Sequence, residues 1–444
     1  MVSLPRYENY KDSGVEWLGE IPEHWGTKKL KYVSSFITTG KTPKSSNEHY
    51  FNGEIDWFTP SDFKASLYLN NSNKTITKLA LLKEKLKLYP PYTILLIGIG
   101  ATIGKTGIIF KEAFSNQQIN AINLDSKNIF PKYGMYYIAS KEKTIKEIAN
   151  SVTLPIFNQS DTKNLIICVP SIAEQKRIAG FLDRKCGEID EAIAKKQRLI
   201  ELLEEQKTIL INQAVTKGLN PDAPMKDSGI EWLGEIPKHW KSIVVKKAAK
   251  VGYKNFVDGD WIESPFIKNE GIRLIQTGNV GIGVYKEKGY RYISEKTFTN
   301  FNCTEIFPDN ILICRLDGPV GRACLVPDLG VRMITSVDNA ILKPSKDFDP
   351  QFIVYVMSSS LWIEWIQSLC RAGGGFRFRI SRSMLGELRI PMPPINEQIE
   401  ISHYLNKQIE LITKNTNILL QGIEKLTELK QILIAEAVTG KIKV

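Results

Sequence analysis

The residues best suited to chemistry in this chain are cations and amides rather than acid–base pairs. The stretch Arg371-Ala-Gly-Gly-Gly-Phe-Arg-Phe-Arg-Ile-Ser-Arg382 sets Arg371, Arg377, Arg379 and Arg382 beside three glycines. Guanidinium groups donate in pairs to phosphate oxygens or to guanine O6 and N7, and glycine lets a backbone come close to a ligand. The counterpart earlier in the chain, Thr153-Leu-Pro-Ile-Phe-Asn-Gln-Ser160, has no arginine. It offers Asn158 and Gln159, side chains of the type that pairs bidentately with adenine. Lys105 and Arg322 each follow a glycine-rich turn and are expected to be free to reach a phosphate backbone, and Arg273 lies in a short apolar run. These nine residues are the candidate nucleic-acid contacts. Solvated surface charge is the plainer reading of the same side chains.

Catalytic patterns are absent. Gly98-Ile-Gly-Ala-Thr-Ile-Gly-Lys-Thr106 resembles a phosphate-binding loop, but that loop needs four residues between its first glycine and the Gly-Lys-Thr. Here Gly100 to Gly104 leaves three and Gly98 to Gly104 leaves five, and the matching Gly318-Pro-Val-Gly321-Arg has no Lys-Thr. A tight turn between strands explains these glycines. No Asn-Pro-Pro-aromatic or Asp-Pro-Pro-aromatic motif, Ser-His-Asp set or HExxH occurs, and four histidines leave little for general acid–base work. The six cysteines form no CxxC pair, which argues against a zinc site or a disulfide framework and for a reducing cytoplasm. No apolar run reaches eighteen residues and no signal-peptide pattern opens the chain. No catalytic or metal-binding residue is expected.

The elements that must position the contacts occur twice. Lys11-Asp-Ser-Gly-Val-Glu-Trp-Leu-Gly-Glu-Ile-Pro-Glu-His-Trp25 recurs as Lys226-Asp-Ser-Gly-Ile-Glu-Trp-Leu-Gly-Glu-Ile-Pro-Lys-His-Trp240, identical at thirteen of fifteen positions. Pro170-Ser-Ile-Ala-Glu-Gln recurs as Pro393-Pro-Ile-Asn-Glu-Gln, and each copy opens a long heptad helix. The first seam runs through Leu182, Cys186, Ile189, Ile193, Lys196, Ile200, Leu203, Lys207 and Leu210. The second runs through Leu405, Ile409, Ile412, Thr416, Leu419, Ile423, Leu426, Lys430 and Leu433. Spacings of four and three held for four heptads predict two helices packed on each other. Ser171 and Glu174 read as a capping box, and Gly218, Pro221 and Pro224 stop the first helix. From about 173 to 217 it would span roughly 65 Å.

Between these frames the chain reads as mixed α and β. Thr93–Ile97, Gly107–Phe110, Ile272–Ile275, Asn310–Ile313 and Arg389–Pro391 read as strands, and Tyr133–Ala149 and Asp349–Leu369 as helices. His24 and His239 sit in the repeated Trp-rich elements and read as structural. The net charge of +11 gathers in two blocks: residues 1–170 carry +6 and residues 225–394 carry +5. Such an excess fits a polyanionic partner, and solubility charge equally.

Two diverged α/β blocks, each followed by a heptad helix opening with P-x-I-x-E-Q, together with the doubled Glu-Trp-Leu-Gly-Glu-Ile-Pro-x-His-Trp, resemble the specificity subunit of Type I restriction-modification systems. The resemblance covers nearly the whole chain. It implies an α+β fold: two globular α/β target recognition domains separated by two long antiparallel coiled-coil helices, with a pseudo-two-fold internal duplication. The corresponding boundaries are 1–170 for the first recognition domain, 171–218 for the first spacer helix, 219–224 for a linker, 225–393 for the second domain and 394–444 for the second helix. It implies that each domain reads half of a bipartite, asymmetric site in double-stranded DNA, and that the helices fix the gap and dock two modification (methyltransferase) subunits. Restriction (translocase/nuclease) subunits would join them. It implies no cofactor in this chain, with S-adenosylmethionine, ATP and Mg in the partner subunits, and a non-catalytic, cytoplasmic subunit without a membrane association. A coiled-coil scaffold binding only proteins, and a self-contained nuclease or methyltransferase, are the alternatives.

Overall fold

The computed structural model describes residues 5–64, 66–149, 155–252, 255–371 and 378–444, apart from the side chain of Arg371. The chain folds as two compact units. One holds residues 1–196 and 420–444, the other 197–419. Each unit therefore contains one globular block and part of both long helices, Ile172–Lys217 and Ile395–Val438. The second helix stops at Val438. The tail beyond it turns at Gly440 (φ +72°), buries Ile442 and bonds Lys443 N–H to Pro5 O at 2.8 Å.

The first unit is built on a five-stranded sheet in the order Ser34–Thr39, Ile119–Leu124, Ile94–Ile97, Thr106–Ile109, Tyr68–Leu69. The four residues Ile94–Ile97 are fully buried, because both faces of the sheet are covered. Ile94 and Leu96 pack with Tyr133, Ile178, Leu182 and Val438 on the side of the long helices. Leu95 and Ile97 pack with Trp57, Phe58 and Phe114 on the other. That second face belongs to a small sheet whose central strand, Phe51–Phe58, pairs parallel with Phe114–Ser115 and antiparallel with Thr75–Ile76.

The second unit repeats this plan. Its larger sheet runs Phe256–Asp258, Asn339–Leu342, Ile311–Cys314, Ala323–Leu325. Ile311 and Ile313 face a core with Phe352, Leu405 and Val215, and Leu312 and Cys314 face a core with Ile275 and Met333. Its small sheet centres on Ile272–Ile275, parallel to Met333–Thr335 and antiparallel to Tyr292–Ile293. The strands expected from sequence form within one or two residues of their expected bounds. The two expected helices each break in two: Pro131–Ala139 and Glu142–Ile148, then Pro350–Ser358 and Ser360–Arg371.

Within the first unit the long helices run antiparallel. Lys430 Nζ reaches both oxygens of Asp190 at 2.7 Å, while further along the first helix the Lys196 side chain lies over Gly422. Leu182 and Cys186 share a core with Ile434 and Val438. In the second unit Ile211 and Val215 share one with Ile401 and Leu405. Every seam position expected from the heptads is buried or half-buried, including Ile189, Ile193, Ile200, Leu203, Leu210, Ile409, Ile412, Leu419, Ile423, Leu426 and Leu433.

The repeated motifs have repeated jobs. Trp25 and Trp240 are fully buried beneath the hairpins Tyr10–Asp12/Glu20–Pro22 and Met225–Asp227/Glu235–Pro237. His24 meets Glu174 at 3.2 Å and His239 meets Glu397 at 2.7 Å. The carboxylates of the two Glu-Gln pairs thus hold the Trp-rich elements. Half of the expected capping box forms, since Glu174 N–H donates to Ser171 Oγ, but the Glu174 carboxylate is taken by His24 and Tyr7. Gln175 accepts from Phe130 N–H at 2.7 Å and Gln398 from Asp349 N–H at 2.8 Å, fastening each long helix to its block. Tyr136 donates to Asp183, and Tyr355 to Asn406, across the same junctions.

Candidate nucleic-acid interface

In each unit the turn after the central strand meets the segment that precedes the last strand. In the first, Ile99 and Ile156 form a β-bridge and Phe157 N–H donates to Gly98 O at 2.7 Å. A Cβ on Gly98 would lie 2.6 Å from Phe157 O, so this close approach, and not a phosphate, accounts for the glycine. Buried Asn120 locks the meeting point by donating to Phe157 O and Thr162 Oγ1. In the second unit Leu316 and Arg379 form the equivalent bridge, and Ile380 N–H donates to Arg315 O at 3.0 Å. The two candidate contact segments therefore do occupy equivalent places. Asn158 caps the helix Gln159–Asn164 as Ser381 caps Arg382–Glu387.

That placement corrects several expected contacts. Asn158 Oδ1 accepts from Ser160 N–H (2.7 Å) and Asp161 N–H (3.1 Å), so its acceptor is used in capping. Gln159 Nε2 donates to Ile37 O. The Asn158 acceptor and one Gln159 donor are thus engaged within the chain. Lys105 is half-buried, with Nζ 3.5 Å from Phe63 O. Arg322 is 9% exposed and donates to the carbonyls of Val280, Asp317, Pro319 and Thr277 at 2.6–2.9 Å. Both cations are drawn to the same place, since Phe63 and Val280 each follow a 3₁₀ turn at the end of the central strand of the small sheet. Arg322, buried and bonded to four carbonyls, is not free to reach a phosphate. Arg273 is 1% exposed and donates to the carbonyls of Lys288, Gly289 and Arg291.

Arg379 and Arg382 remain at the surface. Arg379 lies 3.3 Å from Asp338 Oδ1, and Arg382 Nε 3.3 Å from Asp258 Oδ2. Beneath them sits Arg315, which sequence reasoning missed. It is 4% exposed, donates to Ile380 O and Val337 O, and lies 3.0 Å from Asp258 Oδ1 without the alignment of a hydrogen bond. Burial pushes its pKa down, and Asp258 opposes that shift. An arginine ending the apolar run Ile-Leu-Ile-Cys-Arg315 was the only signal of it. Arg377 and the Arg371 side chain lie outside the described residues. Among the described residues no cluster of His, Cys, Asp or Glu could hold a metal ion, and no helix is long and apolar enough to cross a membrane.

Comparison with known proteins agrees with this doubled architecture. The family model for the Type I restriction modification DNA specificity domain matches twice, over residues 22–205 and 233–425. The putative type I restriction enzyme MjaX specificity subunit of Methanocaldococcus jannaschii is 28% identical over all of this chain and 99% of its own. A solved chain from work on complex assembly and conformational transition of the type I R-M system covers 94% of this chain and 98% of its own, with a TM-score of 0.71 at 14% identity. The HsdS subunit from Thermoanaerobacter tengcongensis covers 95% and 98%, with a TM-score of 0.52 at 14% identity. At that identity both likenesses concern the fold.

Proposed function

The chain belongs to the Type I restriction-modification DNA specificity family, and on that premise we propose that each of its units reads one half of a bipartite, asymmetric DNA site. The carrying observation is a frame that repeats four strands of the larger sheet and all three of the smaller one, with the His24–Glu174 and His239–Glu397 pairs and the Gln175 and Gln398 bonds, around surface loops that differ in chemistry. Two unlike readers on like frames suit two unlike half-sites.

The long helices set the unread spacer and dock two methyltransferase subunits. Leu199, Leu202, Leu411 and Ile418, 43–56% exposed on the helices and off the seam, support a docking role. Restriction subunits complete the assembly. Methyl transfer to adenine N6, with S-adenosylmethionine, and DNA translocation and cleavage, with ATP and Mg, belong to those partners. This chain supplies recognition and works in the cytoplasm. The family match favours this over a scaffold that binds proteins alone.

Replacing residues 226–392 with the corresponding block of another specificity subunit tests the reading. Methylome sequencing of cells carrying the hybrid and its modification subunit should show one half of the motif changed and the other intact. A change in both halves would overturn the modular reading.

A further inference from the structure

Each unit holds one exposed loop from inside its core, at the same two positions and with opposite polarity. The loops are residues 70–74, before strand Thr75–Ile76, and residues 286–291, before strand Tyr292–Ile293. Sheet register makes the positions equivalent: Asp56 pairs with Thr75 as Arg273 pairs with Tyr292. The 3₁₀ turns that follow end in Asp62 and Asn279, each accepting from the N–H of its turn's N-cap, Thr59 or Gln276. Asp56, Asp62, Arg273 and Asn279 are all under 9% exposed.

In the first unit the anchors are acceptors. Asp56 takes Ser72 N–H at 2.9 Å and Asp62 takes Asn73 N–H at 2.7 Å. In the second they are donors. Arg273 gives to the carbonyls of Lys288, Gly289 and Arg291, and Asn279 to those of Lys286 (2.9 Å) and Lys288 (2.6 Å). Burying polar groups in a sheet core is costly unless they are bonded, and here both units place them under the same loop. The effect is to fix the loop backbone and display its side chains outward, the arrangement that a contact surface needs.

What is displayed differs. Lys286, Lys288, Tyr290 and Arg291 are exposed, and the one acid among them, Glu287, lies 3.7 Å from Arg273. Among the described residues none of the three cations is in an ion pair. The first loop instead exposes Asn70 and Asn73, whose side-chain amides bond no other described residue, and a single cation, Lys74, while Asn71 accepts from Lys111.

We propose that these loops are the DNA-contacting segments of the two units: Lys286, Lys288 and Arg291 grip phosphates of one half-site, and Asn70 and Asn73 bond base edges of the other. The inference rests on the DNA-specificity reading above. It is tested on the full chain assembled with its modification subunit. Each phosphate contact contributes about 0.9 to the slope of log affinity against log salt. The variant K286Q/K288Q/R291Q should flatten that slope by about 2–3 and leave the methylated motif unchanged. N70A/N73A should leave the slope unchanged and make one half of the motif degenerate. All five residues are exposed, so neither variant disturbs a core. Specific binding with an unchanged slope in the triple variant, or an undegenerated motif in the double, overturns the assignment of that loop. If the wild-type complex shows neither specific binding nor a methylated motif, the DNA-specificity reading fails and the inference falls with it.

Discussion

Arg322 shows what burial does to a cation in this fold. Its guanidinium answers four backbone carbonyls and so closes the turn it belongs to. Arg322→Met would remove the guanidinium donors that these carbonyls share, and a buried unsatisfied group costs roughly 1–3 kcal/mol. A loss of about 2–4 kcal/mol in urea unfolding is expected, with the salt dependence of DNA binding unchanged. A flatter salt slope at full stability would mean that Arg322 contacts DNA after all. Asp260 is a second residue set by its surroundings. Burial raises its pKa from 3.8 to about 6, against the pull of the Thr304 N–H bond at 2.9 Å. The folded state then keeps this proton longer than the unfolded chain. The resulting stability is complete below about pH 4 and is lost as pH rises through about 6. Asp260→Asn should remove this pH dependence and be more stable than the parent at pH 7. Urea midpoints from pH 4 to 8 check this, and a parent-like slope in the variant would rule Asp260 out as its source.

At the scale of elements, the long helices join a symmetric sequence to an asymmetric set of contacts. The seam lysines at 207 and 430 match in sequence, yet Lys430 crosses to Asp190 and Lys207 turns to Glu204 on its own helix. The position equivalent to Asp190 is Thr413, which bonds Ile409 O instead. Apolar seam positions carry the pairing, and Leu199, Leu202 and Ile209 beside them are left 43–49% exposed. Inserting seven residues, one heptad, into the first helix keeps the seam in phase and adds about 10 Å. The methylated motif should then gain a longer spacer of about three base pairs, or binding should be lost. An unaltered spacer would remove the helices as the ruler. The same kind of divergence within a common frame appears in the clasps. Trp17 carries the Lys141 cation 4.4 Å from its ring, whereas Trp232 stacks on Trp365.

Over the whole molecule, much of the plan was legible in the chain. The doubled Trp-rich element, the doubled P-x-I-x-E-Q and the heptads announce a duplicated frame, because near-identity and period survive in one dimension. The buried strands announced themselves as apolar runs, since a sheet covered on both faces needs no polar alternation. The contact residues were far less legible. Arg273, Arg322, Asn158 and Gln159 have the chemistry of DNA readers, yet each spends donors or an acceptor on backbone partners. Sequence gives a side chain its donors and acceptors but not the distance to the nearest unpaired carbonyl, which depends on how loops far apart in the chain come together. Asp56 and Arg273 share no chemistry and no recognisable motif, and only the register of their sheets shows that they hold the same loop. The sequence by itself determined the frame and the repeat, through patterns that are local and periodic. Tertiary structure decided which cations and amides are used up inside and which face outward, because that depends on pairing between segments the sequence keeps apart.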